Sequence, residues 1–122
     1  MRRPPASLER RVKVCIEANE PVAMSAVVYA EIRSGIAIAG NPQRHVESFG
    51  RLRAWLPVDD WTVEAAEAYT DICAALKPTG NLIGAMDMLI AAHALALGAT
   101  LVTNNEKEFG RVPGLKVENW TK

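Results

Sequence analysis

The chain has 122 residues and no net charge at neutral pH, with 49% hydrophobic and 23% charged residues. This composition is typical of one folded globular domain and argues against extensive disorder. The N-terminus is basic without an apolar segment behind it, and no apolar run is long enough to span a bilayer, so we predict neither a signal peptide nor a membrane helix. Cys15 and Cys73 form no CxxC motif, which predicts reduced thiols in a cytoplasmic protein.

The charge is unevenly distributed along the chain. Residues 1–13 carry five basic residues and one acidic residue, so the remaining chain has a net charge of −4. A basic N-terminal segment could contact phosphates or an acidic partner. Charge runs of this kind are more often solvated helix faces, and this is the interpretation we prefer.

The first elements are predicted by apolar spacing and by capping residues. A helix is predicted over residues 6–18, with Ser7 as its N-cap, and a short apolar strand over Val22–Met24. Ser25 is a good N-cap for the next helix, which Gly40 ends. Residues 42–56 then predict an amphipathic helix whose inward residues are Val46, Phe49, Leu52 and Leu56.

The second half repeats this alternation. A short strand near Val58 precedes Thr62, which we predict as the N-cap of a helix over residues 63–77. A further helix is predicted from about Asp87 to Leu97, with Gly98 as its C-cap, and strands are predicted over residues 100–103 and 116–118. The inward residues of the helix after Thr62 are predicted to be Val63, Ala66, Tyr69, Ile72, Cys73 and Leu76.

Short apolar strands that alternate with helices indicate a parallel sheet covered on both faces. We therefore predict the α/β class, as a three-layer α/β/α sandwich around a short parallel sheet. Residues 1–122 are expected to form a single domain.

Two acidic residues have no local ion pair. Glu31 follows an apolar segment, and a carboxylate on an apolar helix flank is costly without a partner, unless it reaches solvent at the helix edge. Asp87 precedes a long apolar run, and by itself it is best explained as a helix N-cap that contributes about 1 kcal/mol. Each residue therefore has a purely structural explanation.

The predicted topology gives these residues a second interpretation. In open α/β sheets ligands bind outside the carboxyl ends of the strands. Glu31 lies in the second turn after one strand, and Asn104 and Asn105 follow another, whereas the position of Asp87 at this edge follows less directly. Oxygen ligands suit Mg²⁺ or Mn²⁺, and the absence of clustered Cys and His argues against zinc. His45 and His93 are isolated and are predicted to be core or surface residues.

The order of motifs resembles a known family. "SAVVYAEIRSGI" followed by "GNLIGAMDMLIAAHALALGATLVTNNEKEFGRVPGLKVENW" is similar to PIN-domain nucleases of the VapC toxin type. By position, Glu31 resembles the second active-site acid of that family, and Asp87 resembles the third, a ligand of Mg²⁺. Asn105 stands where many relatives have a further Asp, Thr103 resembles the residue that supports this corner, and Glu108 is a weaker candidate.

The resemblance implies a function. It predicts cleavage of RNA that depends on Mg²⁺ or Mn²⁺, restraint by a cognate antitoxin, and a homodimer, with no membrane association. A hard cation held by carboxylates can activate water and neutralise phosphate charge.

One part of the family pattern is not found. The family begins with an apolar central strand that bears the first metal-binding Asp, whereas "MRRPPASLERR" resembles the segment after that strand. Loss of a central strand would leave a gap of about 10 Å between its neighbours, with bare edges. We interpret this as a misassigned start codon or a truncated gene in preference to a gap filled by another segment or chain. Only two of the usual acids remain, which predicts weak or absent cleavage.

Two alternatives stay open. The chain could be a catalytically inactive PIN-like module that binds an antitoxin through its first two helices. It could also be a generic α/β domain with a capping Asp87 and a solvated Glu31, in which case metal would not change its melting temperature.

Overall fold

Six helices and four short strands occur along residues 6–120, the part of the chain that the computed structural model describes, with side chains described from residue 9 onward. The helices are α1 (Ala6–Glu17), α2 (Ala26–Ile38), α3 (Gln43–Trp55), α4 (Val63–Leu76), α5 (Ala85–Leu97) and α6 (Glu106–Phe109). The strands are β1 (Met24–Ser25), β2 (Val58–Asp59), β3 (Leu101–Val102) and β4 (Val117–Glu118), and a 3-10 turn, Lys77–Thr79, follows α4. None of the helices in this part of the chain is long and apolar enough to cross a membrane.

The strands form two parallel pairs. Met24 pairs with Val58 in β1 and β2, and Leu101 pairs with Val117 in β3 and β4. Within residues 6–120 each pair is a separate two-stranded sheet. The predicted α/β class with parallel strands is confirmed, and each strand contains only two residues.

The chain divides into two compact units between Asp60 and Trp61. The first contains α1 to α3 with β1 and β2, and Tyr29 and Phe49 pack in it with ring centroids 5.7 Å apart. Val46 was predicted to face inward but is 38% exposed, because it lies in the first turn of α3, at the margin of the packed face. The buried apolar residues of this unit are Val12, Met24, Ile36, Phe49, Leu52 and Leu56.

The second unit is built on the packing of α4 against α5. Ala91, Ala92 and Ala94 of α5 are buried, so this helix can approach its neighbour closely, and His93 is buried beside them. Val63 was predicted to face inward but is 74% exposed, because it is the first residue of α4 and projects from the end of the packed face. The other buried residues of this unit are Ala65, Ile72, Leu76, Ile83, Met88, Ile90, Phe109 and Val112.

Two predicted N-caps are confirmed. Ser25 Oγ accepts a hydrogen bond from the Val27 amide at 3.1 Å, and Thr62 Oγ1 accepts one from the Ala65 amide at 3.2 Å. Each satisfies an amide that has no partner within its own helix. The prediction for Ser7 is wrong, because α1 already begins at Ala6.

The C-terminal end of α5 agrees with the prediction, whereas its N-terminal end differs from it. Gly98 ends the helix with a φ of +64°, as predicted, in a conformation that glycine adopts without strain. The N-cap is Gly84, however, and Asp87 lies in the first turn of the helix. The prediction that Asp87 caps α5 is therefore wrong. A carboxylate in the first turn still interacts favourably with the helix dipole, which explains the residue type without a capping role.

Candidate functional site

The Asp87 carboxylate is folded back over the start of α5. Asp87 is half-buried, and a Cβ atom on Gly84 would lie 3.8 Å from its Oδ2 atom. The amides of the first turn and the positive end of the helix dipole stabilise a negative charge at this place. The turn therefore places a carboxylate at the start of α5, where a negative charge is favoured.

Trp61 ties the segment before α4 to this part of α5. Its Nε1–H donates a 2.9 Å hydrogen bond to the carbonyl oxygen of Leu89, two residues after Asp87. The bond is partly buried, so it restrains the beginning of the helix that carries the carboxylate. Sequence reasoning did not single out Trp61, because nothing in the sequence indicates a contact between residues this far apart.

Three of the predicted site residues meet after β3. Thr103 Oγ1 accepts a hydrogen bond from the Asn105 amide at 3.0 Å, and Asn105 Nδ2 donates to Glu108 Oε2 at 2.9 Å. Asn105 is exposed, while Thr103 and Glu108 are half-buried. The side-chain amide of Asn105 therefore orients the Glu108 carboxylate. This contact gives Glu108 a defined position, which its place in the sequence did not indicate.

The C-terminal residues hold α6 in position. Asn119 Nδ2 donates a 3.0 Å hydrogen bond to Glu106 Oε1, and Trp120 Nε1 donates a 3.1 Å bond to Glu118 Oε1. The first of these joins the residue after β4 to the first residue of α6. The closing "VENW" of the motif thus has a structural function beside the Asn105–Glu108 pair.

Glu31 lies elsewhere in the chain. It is an exposed residue of α2 in the first compact unit, whereas Asp87, Thr103 and Asn105 belong to the second. Its side chain forms no hydrogen bond or ion pair with any residue in the range 6–120. The carboxylate is therefore solvated, as the structural explanation of this residue predicts.

The donor atoms of these residues match a hard cation. Among residues 6–120 no three His, Cys, Asp or Glu side chains form a group that could hold a metal ion. Magnesium sites, however, commonly use one or two protein carboxylates and complete the shell with water and substrate phosphate. Asp87 and Glu31 offer carboxylate oxygens, so their chemistry suits Mg²⁺ at sites with few protein ligands.

Comparison with known proteins shows the family. The PIN-domain family model matches residues 6–115. Ribonuclease VapC2 of Rickettsia felis is 36% identical over 85% of this chain and 78% of its own length. The tRNA(fMet)-specific endonuclease VapC of Shigella flexneri is 33% identical over 96% of this chain and 86% of its own length.

A solved structure is similar over the same range. The crystal structure of VapBC2 from Rickettsia felis bound to a promoter DNA fragment contains a chain that matches with a TM-score of 0.86 and 34% identity. The match covers 95% of this chain and 86% of that one. The chain therefore belongs to the PIN-domain family, and within it to the VapC ribonucleases. The resemblance inferred from the motifs is confirmed.

Proposed function

We propose that this protein is an endoribonuclease that depends on Mg²⁺ or Mn²⁺ and is the toxin of a toxin–antitoxin pair. The observation that carries the proposal is the similarity to VapC ribonucleases over nearly the whole chain, with Glu31 and Asp87 at the acidic motif positions. Solved relatives are complexes of VapB with VapC, which supports an antitoxin partner.

The side chains would have different roles. Asp87, held in the first turn of α5, would bind the cation, and Glu31 would bind a ligand water or act as a general base. The cation, when bound, would supply an activated water and neutralise charge on the phosphate. Asn105, fixed by Thr103 and Glu108, would orient waters, and Glu108 is a weaker candidate for a further carboxylate.

The remaining properties follow from the same proposal. The chain would form a single PIN domain, bind a cognate antitoxin and assemble as a homodimer. It would act in the cytoplasm, where RNA is available and thiols stay reduced.

The test is a cleavage assay with purified chain, Mg²⁺ or Mn²⁺, and end-labelled RNA that includes initiator tRNA, the substrate class named for the Shigella relative. Slow, metal-dependent cleavage is expected, because no three-acid group occurs among the described residues. Asp87→Ala should lower the rate by at least about 100-fold, the size of effect that loss of a preorganised charge produces.

A matched control is Asp71→Ala, an exposed acid of α4 in the same compact unit, which should leave cleavage unchanged. Cleavage that persists in EDTA, or that survives Asp87→Ala, would show a different mechanism or a contaminating nuclease.

A second function is a catalytically inactive module that binds an antitoxin. The absence of a three-acid group among residues 6–120 favours it. The discriminating experiment is co-purification with the product of the neighbouring gene, together with the cleavage assay. Stable complex formation without any metal-dependent cleavage would support the inactive module, and cleavage would exclude it.

A further inference from the structure

Helix α3 presents a basic stripe that the proposed active site does not use. Arg44, Ser48, Arg51 and Trp55 are spaced by four, three and four residues, so they lie along one side of the helix. The two arginines and Trp55 are exposed, and Ser48 is half-buried. The exposed Glu47, three residues after Arg44 and four before Arg51, borders the stripe, which extends about 16 Å along the helix.

Helix α1 widens this stripe. Lys13 Nζ lies 5.1 Å from the ring centroid of Trp55, within the range of a cation–π interaction. Arg10, one helical turn earlier in α1, is also exposed. The side chains of Arg10, Lys13, Arg44, Arg51 and Trp55 are called the basic face below.

Two other charged side chains of α3 have hydrogen-bond partners within the protein. Arg53 donates a 2.6 Å hydrogen bond to the Leu56 carbonyl and lies over the Tyr29 ring. Glu47 accepts a 2.9 Å hydrogen bond from Gln43. Arg53 is therefore a structural residue, and it differs in this way from the exposed Arg44 and Arg51.

The two units differ in charge, and this difference indicates a role for the basic face. Residues 1–60 contain nine basic and seven acidic residues, with six of the basic residues in α1 and α3, whereas residues 61–120 contain four basic and seven acidic ones. A polyanion is repelled by the acidic unit, so an enzyme that acts on RNA needs a positive surface elsewhere to hold the phosphates.

We propose that the basic face binds the backbone of single-stranded RNA and stacks one base on Trp55. The inference rests on the proposed ribonuclease function for its choice of ligand. Spaced cations beside an exposed aromatic ring are the elements that single-strand binding uses, and every base offers a face for stacking. An acidic protein segment would pair with the cations, but it would not use the Trp55 ring for base stacking.

The experiment measures binding without cleavage. Fluorescence anisotropy follows the wild-type protein with a labelled single-stranded RNA of about 12 nucleotides, a length within the usual site sizes, in EDTA. Trp55→Ala should weaken binding by about 5- to 100-fold, the effect of removing one stacked base, and Trp55→Phe should restore most of the affinity. Arg51→Ala should weaken binding and reduce the slope of log K against log salt by about 0.7.

Two further variants sharpen the comparison. Glu17 is exposed one turn after Lys13, so Glu17→Gln should strengthen binding by removing a repulsive charge, whereas Glu64→Gln in the second unit should have a smaller effect. Lys116→Ala, an exposed cation of the second unit, is the matched control for Arg51→Ala and should leave the affinity unchanged. Thermal melting checks that each variant folds. If Trp55→Ala does not fold, substitutions of the exposed Arg44 and Arg51 still test the proposal.

The outcomes separate the two proposals. Affinity that is unchanged by both Arg51→Ala and Trp55→Ala would overturn the binding face, as would variants that lose the antitoxin but bind RNA normally. If wild-type RNA binding depends on the basic face but no RNA is cut in Mg²⁺, the binding proposal holds and the ribonuclease proposal fails. If RNA is cut but the variants bind it as tightly as the wild-type protein, the ribonuclease proposal holds and the binding proposal fails.

Discussion

At the scale of single residues, the position of Asp87 allows its role in function to be tested apart from its contribution to stability. The cap of α5 is Gly84, and Asp87 lies in the first turn, where its charge interacts favourably with the helix dipole. An N-cap side chain contributes about 1 kcal/mol, whereas an exposed charge near a helix end contributes about 0.3–1 kcal/mol. The helix therefore has less need of this carboxylate than a capping role would imply.

We accordingly expect Asp87→Asn to destabilise the fold by less than about 1 kcal/mol while it abolishes metal-dependent cleavage. Urea denaturation gives the free energy of unfolding, and the RNA assay gives the activity. A loss of several kcal/mol would mean that the carboxylate is chiefly structural.

The Trp61 hydrogen bond is a second test at this scale. Trp61→Phe keeps an aromatic ring but removes the donor to the Leu89 carbonyl, so the free energy of unfolding should fall by about 0.5–1.5 kcal/mol. Trp120→Phe removes an exposed indole hydrogen bond to Glu118 and should cost less. Equal effects of the two substitutions in urea denaturation would contradict a special role for the bond to α5.

Two of the four predicted N-caps were right. Ser25 and Thr62 each precede an apolar helix, and each side chain accepts a bond from an amide of that helix. Asp87 satisfied the same rule and was still placed wrongly, because the helix begins two residues earlier, at Ala85. The residues at 84–86 carry no side-chain signal that marks this earlier start.

At the scale of elements, the long helices were predicted and the shortest one was missed. Helices α1 to α5 contain 12 to 14 residues each, enough for a full apolar period, whereas α6 contains four residues and no helix was predicted there. The hydrogen bond from Asn119 to Glu106 belongs to this missed helix, and only the folded chain brings these two residues together.

The Asn119–Glu106 bond predicts a measurable coupling. In a double-mutant cycle with Asn119→Ala and Glu106→Ala, the interaction energy from urea denaturation should be about 0.5–1.5 kcal/mol. The same pair of substitutions should lower cleavage if α6 positions Asn105 and Glu108. Additive effects on stability would show that the bond contributes nothing in solution.

At the scale of the whole molecule, the α/β class and its parallel strand pairs could be predicted, because alternation of apolar segments is a local property of the sequence. The division at Asp60 and Trp61 could not, since it depends on which distant segments pack together. The positions of the candidate acids along the chain followed from the motifs, while the Thr103–Asn105–Glu108 contacts required the folded structure.

Metal binding should appear as a stability change of the whole molecule. At about ten times its dissociation constant, Mg²⁺ stabilises the native state by about 1.4 kcal/mol, which raises the melting temperature by about 5 °C in a chain of this size. Asp87→Ala should remove this rise, and NaCl of equal ionic strength should not produce it. An equal rise in the variant would place the metal at other residues.

The brevity of the strands has a consequence for spectroscopy. Each strand has two residues, so the far-ultraviolet circular dichroism of the folded protein will be dominated by α1 to α5 and will resemble that of an all-helical protein. Slow amide hydrogen exchange should likewise be concentrated in the helices, with few protected strand amides, among them those of Met24, Leu101 and Thr103. A solution measurement of secondary structure alone would therefore assign this α/β protein to the wrong class.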